Sequence, residues 1–380
     1  MINPLHSPAA MRAVMIDFLR VLIVVCHFLM ADVASSSPQH TYQAIFNFGD
    51  SLSDTGNLIL TDAISFPVAA KLPYGETFFR QPTGRFSDGR LIVDFIAEAF
   101  GLPYLQPFLA LSENQSVPYG VNFAVAGATA LDHDFFAMKN LGLPLTTNCS
   151  LSVQINWFRK LKSSLCATKQ DCVEYYKKSL FLVGEIGGND YNYPFLSGVS
   201  FKEVHALMPL VVKAIMNATT TLIKEGAVEL MVPGNLPIGC SAAYLTLFQS
   251  PNKADYDTNG CLKLYNNFAN HHNKLLQSAL RKLRRKYPLV RIIYADYYHA
   301  AMPFFHKPGH FGFNNGALSA CCGSGGPYKF NFLVRCGQTG SSVCKDPSTY
   351  ANWDGLHLTE AAYRLIALGL INGSNTSPSL

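Results

Sequence analysis

The sequence predicts an α/β fold built on a parallel sheet with helices on both faces. Three observations lead to it. Five apolar runs rich in Val, Ile, Leu and Phe, at residues 42–48, 121–124, 178–186, 228–232 and 290–296, have the length and composition of buried strands. Stretches with apolar residues at helical spacing separate or follow them, at 90–100, 152–161, 201–225, 262–287 and 359–370. Strands alternating with helices imply right-handed crossovers and a sheet covered on both sides, and no internal repeat or linker divides the chain. We therefore expect a leader over residues 1–35 and a single domain over 36–380.

Taken in order, Tyr42 to Phe48 reads as a buried strand that stops at Gly49-Asp50-Ser51-Leu52-Ser53-Asp54. Gly49 permits a tight turn, and the residues after it offer a hydroxyl, carboxylates and amide N–H groups at the carboxyl end of a strand, where open α/β sheets bind ligands. A strand followed by a helix that Ser51 or Asp54 merely caps accounts for the same residues. Residues 58–88, rich in Pro, Gly and aromatics, resist assignment, and so long an insertion beside Ser51 is a candidate pocket wall. Ser87 and Asp88 are placed to cap the helix at 90–100, which Gly101 ends. Gly127, beyond the strand at 121–124, would let a backbone N–H approach a ligand, although close packing alone also calls for Gly and Ala there.

The strand at 178–186 runs into Gly187-Gly188-Asn189-Asp190, a second glycine-polar cluster at a strand end. On adjacent parallel strands this cluster and the one at Ser51 would converge. Gly226 ends the helix at 201–225. His271 and His272 are expected on the polar face of the helix at 262–287. Residues 297–350 read as mostly irregular, and His306 and His310 there lack a third ligand at metal spacing.

The chain has 380 residues, 49% of them hydrophobic and 14% charged, enough to bury a sizeable core. The net charge of +5 includes Lys282, Arg284, Arg285 and Lys286 at a helix end, where cations suit the helix dipole. No nucleic-acid partner is expected. Near the amino terminus Arg12 precedes an apolar stretch from Phe18 to Met30, and small residues follow, so we expect a signal peptide, with a signal anchor as the alternative. No later stretch is expected to span a membrane. Without Cys26 in the leader, nine cysteines remain and no C-x-x-C occurs, so disulfides are expected over zinc. We pair Cys166 with Cys172 and Cys240 with Cys261, and place two bridges among Cys321, Cys322, Cys336 and Cys344, with Cys149 left over. Asn114, Asn148, Asn217, Asn372 and Asn375 are candidate glycosylation sites. Together these point to the secretory pathway, ending outside the cell in the apoplast or in the vacuole.

Far downstream, Asp354-Gly355-Leu356-His357 sets a carboxylate and an imidazole three residues apart. With Ser51 they form the three parts of an activated serine nucleophile, which is defined by roles and not by chain order. The G-x-S-x-G elbow of the α/β-hydrolases is absent. Gly49-Asp50-Ser51-Leu52, Gly187-Gly188-Asn189-Asp190 and Asp354-x-x-His357 resemble the ordered blocks of the GDSL esterase/lipases of the SGNH hydrolase superfamily, from about Phe46 to Leu370. The segments at 73–78, 82–90 and 122–130 are similar to its plant branch, which includes acetylajmalan esterase and sinapine esterase.

The resemblance implies a flavodoxin-like three-layer α/β/α sandwich with a five-stranded parallel sheet in the order 2-1-3-4-5. It implies Ser51, Asp354 and His357 as catalytic residues and the Ser51 and Gly127 backbone N–H groups with the Asn189 amide as the oxyanion hole, with neither metal nor cofactor. The expected activity is hydrolysis of a small-molecule carboxylic ester, an acetyl or other short or aromatic acyl ester of a plant specialised metabolite. An acyltransferase using the same acyl-enzyme and a non-catalytic secreted binding protein are the alternatives. Phe66, Tyr74, Phe78, Phe79 and Phe86 could line a pocket or fill core beneath the loop. Oligomeric state is not legible.

Overall fold

The computed structural model describes residues 42–380, apart from 62–67 and the single positions 114, 143 and 167. The expected leader and the expectations for Phe66 and Asn114 lie outside them. Residues 42–380 form one compact unit.

Its centre is a sheet of β1 (Ala44–Phe48), β2 (Gly120–Asn122), β3 (Ser179–Val183), β4 (Glu229–Pro233) and β5 (Arg291–Ala295), all parallel, in the order 2-1-3-4-5. The order is the one the family resemblance implies. A sixth strand, β6 (Thr376–Ser377), pairs antiparallel with the free edge of β5. It was not legible because two residues carry no alternation pattern.

Side chains alternate across each strand, so β1 feeds two cores. Phe46, Phe48, Phe181 and Val183 pack on one face beneath α2 (Leu151–Leu165), α4 (Met208–Glu225) and α5 (Lys263–Lys286). Ile45, Leu180, Leu182 and Met231 pack on the other beneath α1 (Ile92–Ala99), α6 (Tyr297–His306) and α7 (Glu360–Ile371). α3 (Gly188–Leu196) starts directly from the turn after β3.

Several expectations change. The helix at 201–225 is divided at Leu207 into Phe201–Ala206 and α4, because Pro209 has no N–H to give to the preceding turn. By length and composition alone Phe201–Glu225 is apolar enough to cross a membrane, a test that a buried core helix also passes. Its apolar stripe, including Val204, Met208, Val211, Ile215 and Leu222, is buried in the first core. Residues 297–350 are less irregular than expected: α6 forms despite Pro303, and Gly316–Ala320 pairs with Tyr350–Asn352. Cys172 lies in a further helix, Lys169–Lys177.

Ser87 and Asp88 do not cap α1. The Asp94 carboxylate accepts the Leu91 N–H there, while Asp88 accepts the Glu360 N–H at the start of α7 and so ties the long insertion to the last helix. His272 is fully buried, not on a polar face, and its Nδ1 lies 2.7 Å from the Tyr191 hydroxyl. Burial, then His271, lowers its pKa to about 4.

Disulfides join Cys166 to Cys172 and Cys240 to Cys261 as paired from sequence, and the remaining four form two nested bridges, Cys321–Cys344 and Cys322–Cys336. Cys149 is free and buried. Asn148, Asn217 and Asn372 are exposed, and Asn375 is half-buried.

Candidate active site

β1 and β3 end side by side, and their turns build the floor of the site. At Gly49 φ is +145°, and a Cβ there would stand 2.8 Å from the Glu185 carbonyl. The Asp50 N–H donates to that carbonyl at 3.0 Å, joining the two strand ends. Gln154 of α2 braces the turn from the other side: its Oε1 accepts the Gly49 N–H at 2.9 Å and its Nε2 donates to the Gly49 carbonyl at 2.8 Å. This brace was missed in the sequence because a Gln inside an amphipathic helix looks like any polar residue.

The turn turns Ser51 toward the carboxyl-terminal segment. Its Oγ lies 2.8 Å from His357 Nε2, and His357 Nδ1 lies 2.7 Å from Asp354 Oδ2. Asp354 Oδ1 accepts the N–H groups of Leu356 and His357 at 3.0 and 2.9 Å, so the carboxylate folds its own loop around itself. The Trp353 N–H donates to the His357 carbonyl, and the Trp353 ring is fully buried. Leu356 is exposed and lines the adjoining cavity.

The Tyr74 hydroxyl donates to Asp354 Oδ2 at 2.8 Å. Burial works against the Asp354 charge, but His357 and the two backbone donors outweigh it and bring the pKa down to about 2. The carboxylate is thus ionised everywhere above the strongly acid range.

Ser51, Gly127 and Asn189, the three groups expected to form an oxyanion hole, all line one cavity. No acceptor among the described residues takes the N–H of Ser51 or of Gly127, although their neighbours Asp50, Leu52, Ala126 and Ala128 all donate within the protein. Gly127 also packs tightly: φ is +83°, and a Cβ would come 2.6 Å from Thr146 Cβ. The third group, the Asn189 amide, sits at the first turn of α3. Its Nδ2 is 3.0 Å from the Ala128 carbonyl and 3.1 Å from Asp50 Oδ2.

A cavity of about 320 Å³ opens over these residues. Leu58, Phe86, Leu236, Ile238, Tyr244 and Phe305 give it largely apolar walls, with Phe332 and Arg335 contributed by the disulfide-bonded loop. Of the described aromatics in the long insertion, only Phe86 lines it, with its ring 4.8 Å from the His357 ring. Tyr74 is buried behind Asp354, while Phe78 and Phe79 pack with Tyr104 and the guanidinium groups of Arg90 and Arg85. Asp296 does not line the cavity; it caps α6 by accepting the His299 N–H. Among the described residues no three His, Cys, Asp or Glu side chains are grouped as a metal ion requires.

The pattern of the GDSL-like Lipase/Acylhydrolase family matches residues 45–370. The chain belongs to this family. It is 55% identical over 368 residues to GDSL esterase/lipase At5g45910 of Arabidopsis thaliana, covering 95% of this chain and 99% of that protein. It is 51% identical over 351 residues to sinapine esterase of Brassica napus, covering 91% and 90%. GDSL esterase/lipase At1g28600 of Arabidopsis thaliana is 50% identical over 348 residues, covering 91% and 88%. This GDSL family member is a carboxylic ester hydrolase of the plant type, and its substrates are small-molecule esters. Its four disulfides fit an oxidising, extracellular-type compartment.

Proposed function

We propose that this hydrolase cleaves its ester through an acyl-enzyme on Ser51. The observation that carries the reading is the unbroken hydrogen-bonded run from Ser51 Oγ through His357 to Asp354, with steps of 2.8 and 2.7 Å. His357 Nε2 takes the Ser51 proton as the oxygen attacks the ester carbonyl, then gives it to the departing alcohol. Asp354 holds Nδ1–H, which fixes the tautomer and stabilises the imidazolium. A water then enters, loses its proton to His357, attacks the acyl carbon and releases the acid and free Ser51.

The tetrahedral oxyanion is received by the Ser51 and Gly127 N–H groups and the Asn189 amide. Two of these are backbone donors that no acceptor among the described residues takes, so they need no rearrangement when the charge develops. The substrate is an acetyl or other short or aromatic acyl ester of a plant specialised metabolite. The apolar cavity, with Phe86 against the His357 ring, and the 51% identity to sinapine esterase support that class. Entry through the secretory pathway to the apoplast or vacuole is the matching location.

The test is an ester panel of short acyl, long acyl and aromatic esters run on the wild type and on Ser51→Ala, beside labelling with a serine-reactive fluorophosphonate. Labelling and turnover that both disappear in a folded Ser51→Ala protein support the reading. Wild-type turnover in that variant overturns it.

A further inference from the structure

Four carboxyl groups are buried around the strand ends: Asp50, Asp54, Glu185 and Asp190. Three have backbone donors. Asp54 accepts the N–H groups of Gly56, Asn57, Leu58 and Ala126, Asp190 those of Ala130 and Leu131, and Asp50 that of Leu52. Glu185 differs. Among the described residues no backbone N–H is given to its carboxyl; its own carbonyl accepts the Asp50 N–H at 3.0 Å, and its buried side chain interacts with that of Asp50. Both line the floor of the cavity with Ser51 and Asn189. Two carboxylates so close and so dry cannot both ionise, so the pair keeps one proton between them.

The pair touches the proposed reaction through Asn189. That amide has two protons, and one is given to the Ala128 carbonyl and the other to Asp50 Oδ2. An oxyanion above Ser51 must draw on the second. A fully charged Asp50 would compete for it and would set an extra negative charge under the place where negative charge develops. A carboxyl proton donated to Asp50 weakens both effects.

We propose that Glu185 is a positioning residue that holds a proton against Asp50 and thereby leaves the Asn189 amide available to the transition state. The inference rests on the Ser51 reading above and adds a residue outside the blocks Gly49–Leu52, Gly187–Asp190 and Asp354–His357. Loss of the shared proton should slow turnover at high pH without weakening substrate binding. Burial and the Asp50 charge, with Asp190 adding to them, raise the Glu185 pKa well above the ordinary carboxylate range, in agreement with a group that keeps its proton at neutral pH. The other groups facing the pair are His357, Asp54 and Asp190, together with Tyr193, Tyr297 and Tyr363, whose hydroxyls burial keeps neutral.

The test compares wild type with Glu185→Gln and Glu185→Ala, measuring kcat and KM for one chromogenic aryl acetate across neutral and alkaline pH, with a thermal melt of each variant. The Gln side chain can still donate to Asp50 but cannot lose that proton. The expected result is Glu185→Gln within about 3-fold of wild-type kcat at neutral pH, and Glu185→Ala lower by roughly 10- to 100-fold with KM nearly unchanged. Wild-type kcat should fall at alkaline pH, and Glu185→Gln should not show that fall. Matching alkaline profiles in wild type and Glu185→Gln, or equal kcat losses in the two variants, would overturn the inference. Fluorophosphonate labelling of the wild type separates this failure from that of the parent reading: a labelled wild type with unaffected Glu185 variants removes only the role of Glu185, whereas an unlabelled, still active wild type removes the Ser51 assignment.

Discussion

Tyr74 donates its hydroxyl to Asp354 Oδ2 at 2.8 Å, across 280 positions of sequence. The same oxygen faces His357 Nδ1, so a tyrosine from the long insertion helps to aim the carboxylate that aims the imidazole. Tyr74 is itself held between Phe86 and Trp353, with ring centroids 5.9 and 5.8 Å away. The insertion is therefore part of the support of the site as well as one of its walls.

Removing that hydroxyl should affect turnover and leave binding alone. Tyr74 does not line the cavity, and Asp354 keeps its two backbone donors and the imidazole. Losing one hydrogen bond of this kind costs about 1 kcal/mol. Tyr74→Phe is expected to lower kcat by roughly 3- to 10-fold with KM unchanged, which steady-state kinetics on an aryl ester will check.

Asn189→Ala should be more damaging, since it deletes a donor that acts only when the oxyanion exists. Loss of one such donor typically costs about 10²- to 10³-fold in turnover. We expect a fall in kcat of that order, a small change in KM and a folded protein by circular dichroism. A loss confined to KM would count against the oxyanion role.

The Cys322–Cys336 bridge closes a 14-residue separation and holds the segment that brings Phe332 and Arg335 to the cavity. A loop of about this length loses about 3 kcal/mol of chain entropy when cross-linked in the unfolded state. The paired change Cys322→Ser with Cys336→Ser should lower the melting temperature and raise KM several-fold, with a smaller effect on kcat. Calorimetry and kinetics on the same preparation will separate the two.

Stability should depend on pH through the buried acids. Burial raises Asp50 and Asp88 to about 6 and Asp190 to about 7, from an ordinary value of 3.8. For each, the folded state binds the proton more tightly than the unfolded chain, so their contribution is fully present below pH 3.8 and is lost as pH rises through 6 to 7. Asp354, lowered to about 2, acts in the opposite sense and only in the acid range below 3.8. The melting temperature should therefore decline between about pH 4 and pH 7. Differential scanning calorimetry across that range tests it, and a melting temperature that rises steadily over the same interval would contradict the assignment.

Much of the fold was legible because its signals are local. Each central strand is an apolar run ended by glycine or a polar turn, and the long helices keep their periodicity to within a few residues of the observed ends. Ser51, Asn189 and the Asp354–His357 pair could be named because each stands at a strand or loop end within a short block that resembles the GDSL family. Other features had no local trace. α6 was lost because Pro303 and four aromatics mask its helical pattern. His272 gives no sign in sequence of facing Tyr191, and Phe78 and Phe79 look like pocket residues until Arg85 and Arg90 are placed against them.

The amino-acid sequence by itself determined the alternation of strands and helices, the family, the polar clusters at the strand ends and the cysteines available for bridging, because each depends on residues near one another in the chain. Only the tertiary structure decided what surrounds those clusters: Tyr74 on Asp354, Gln154 on Gly49, Glu185 against Asp50, and the nesting of the last two disulfides. These are contacts between segments tens to hundreds of residues apart. Their partners follow from how the sheet and its covering layers bring those segments together, and no periodicity along the chain encodes that meeting.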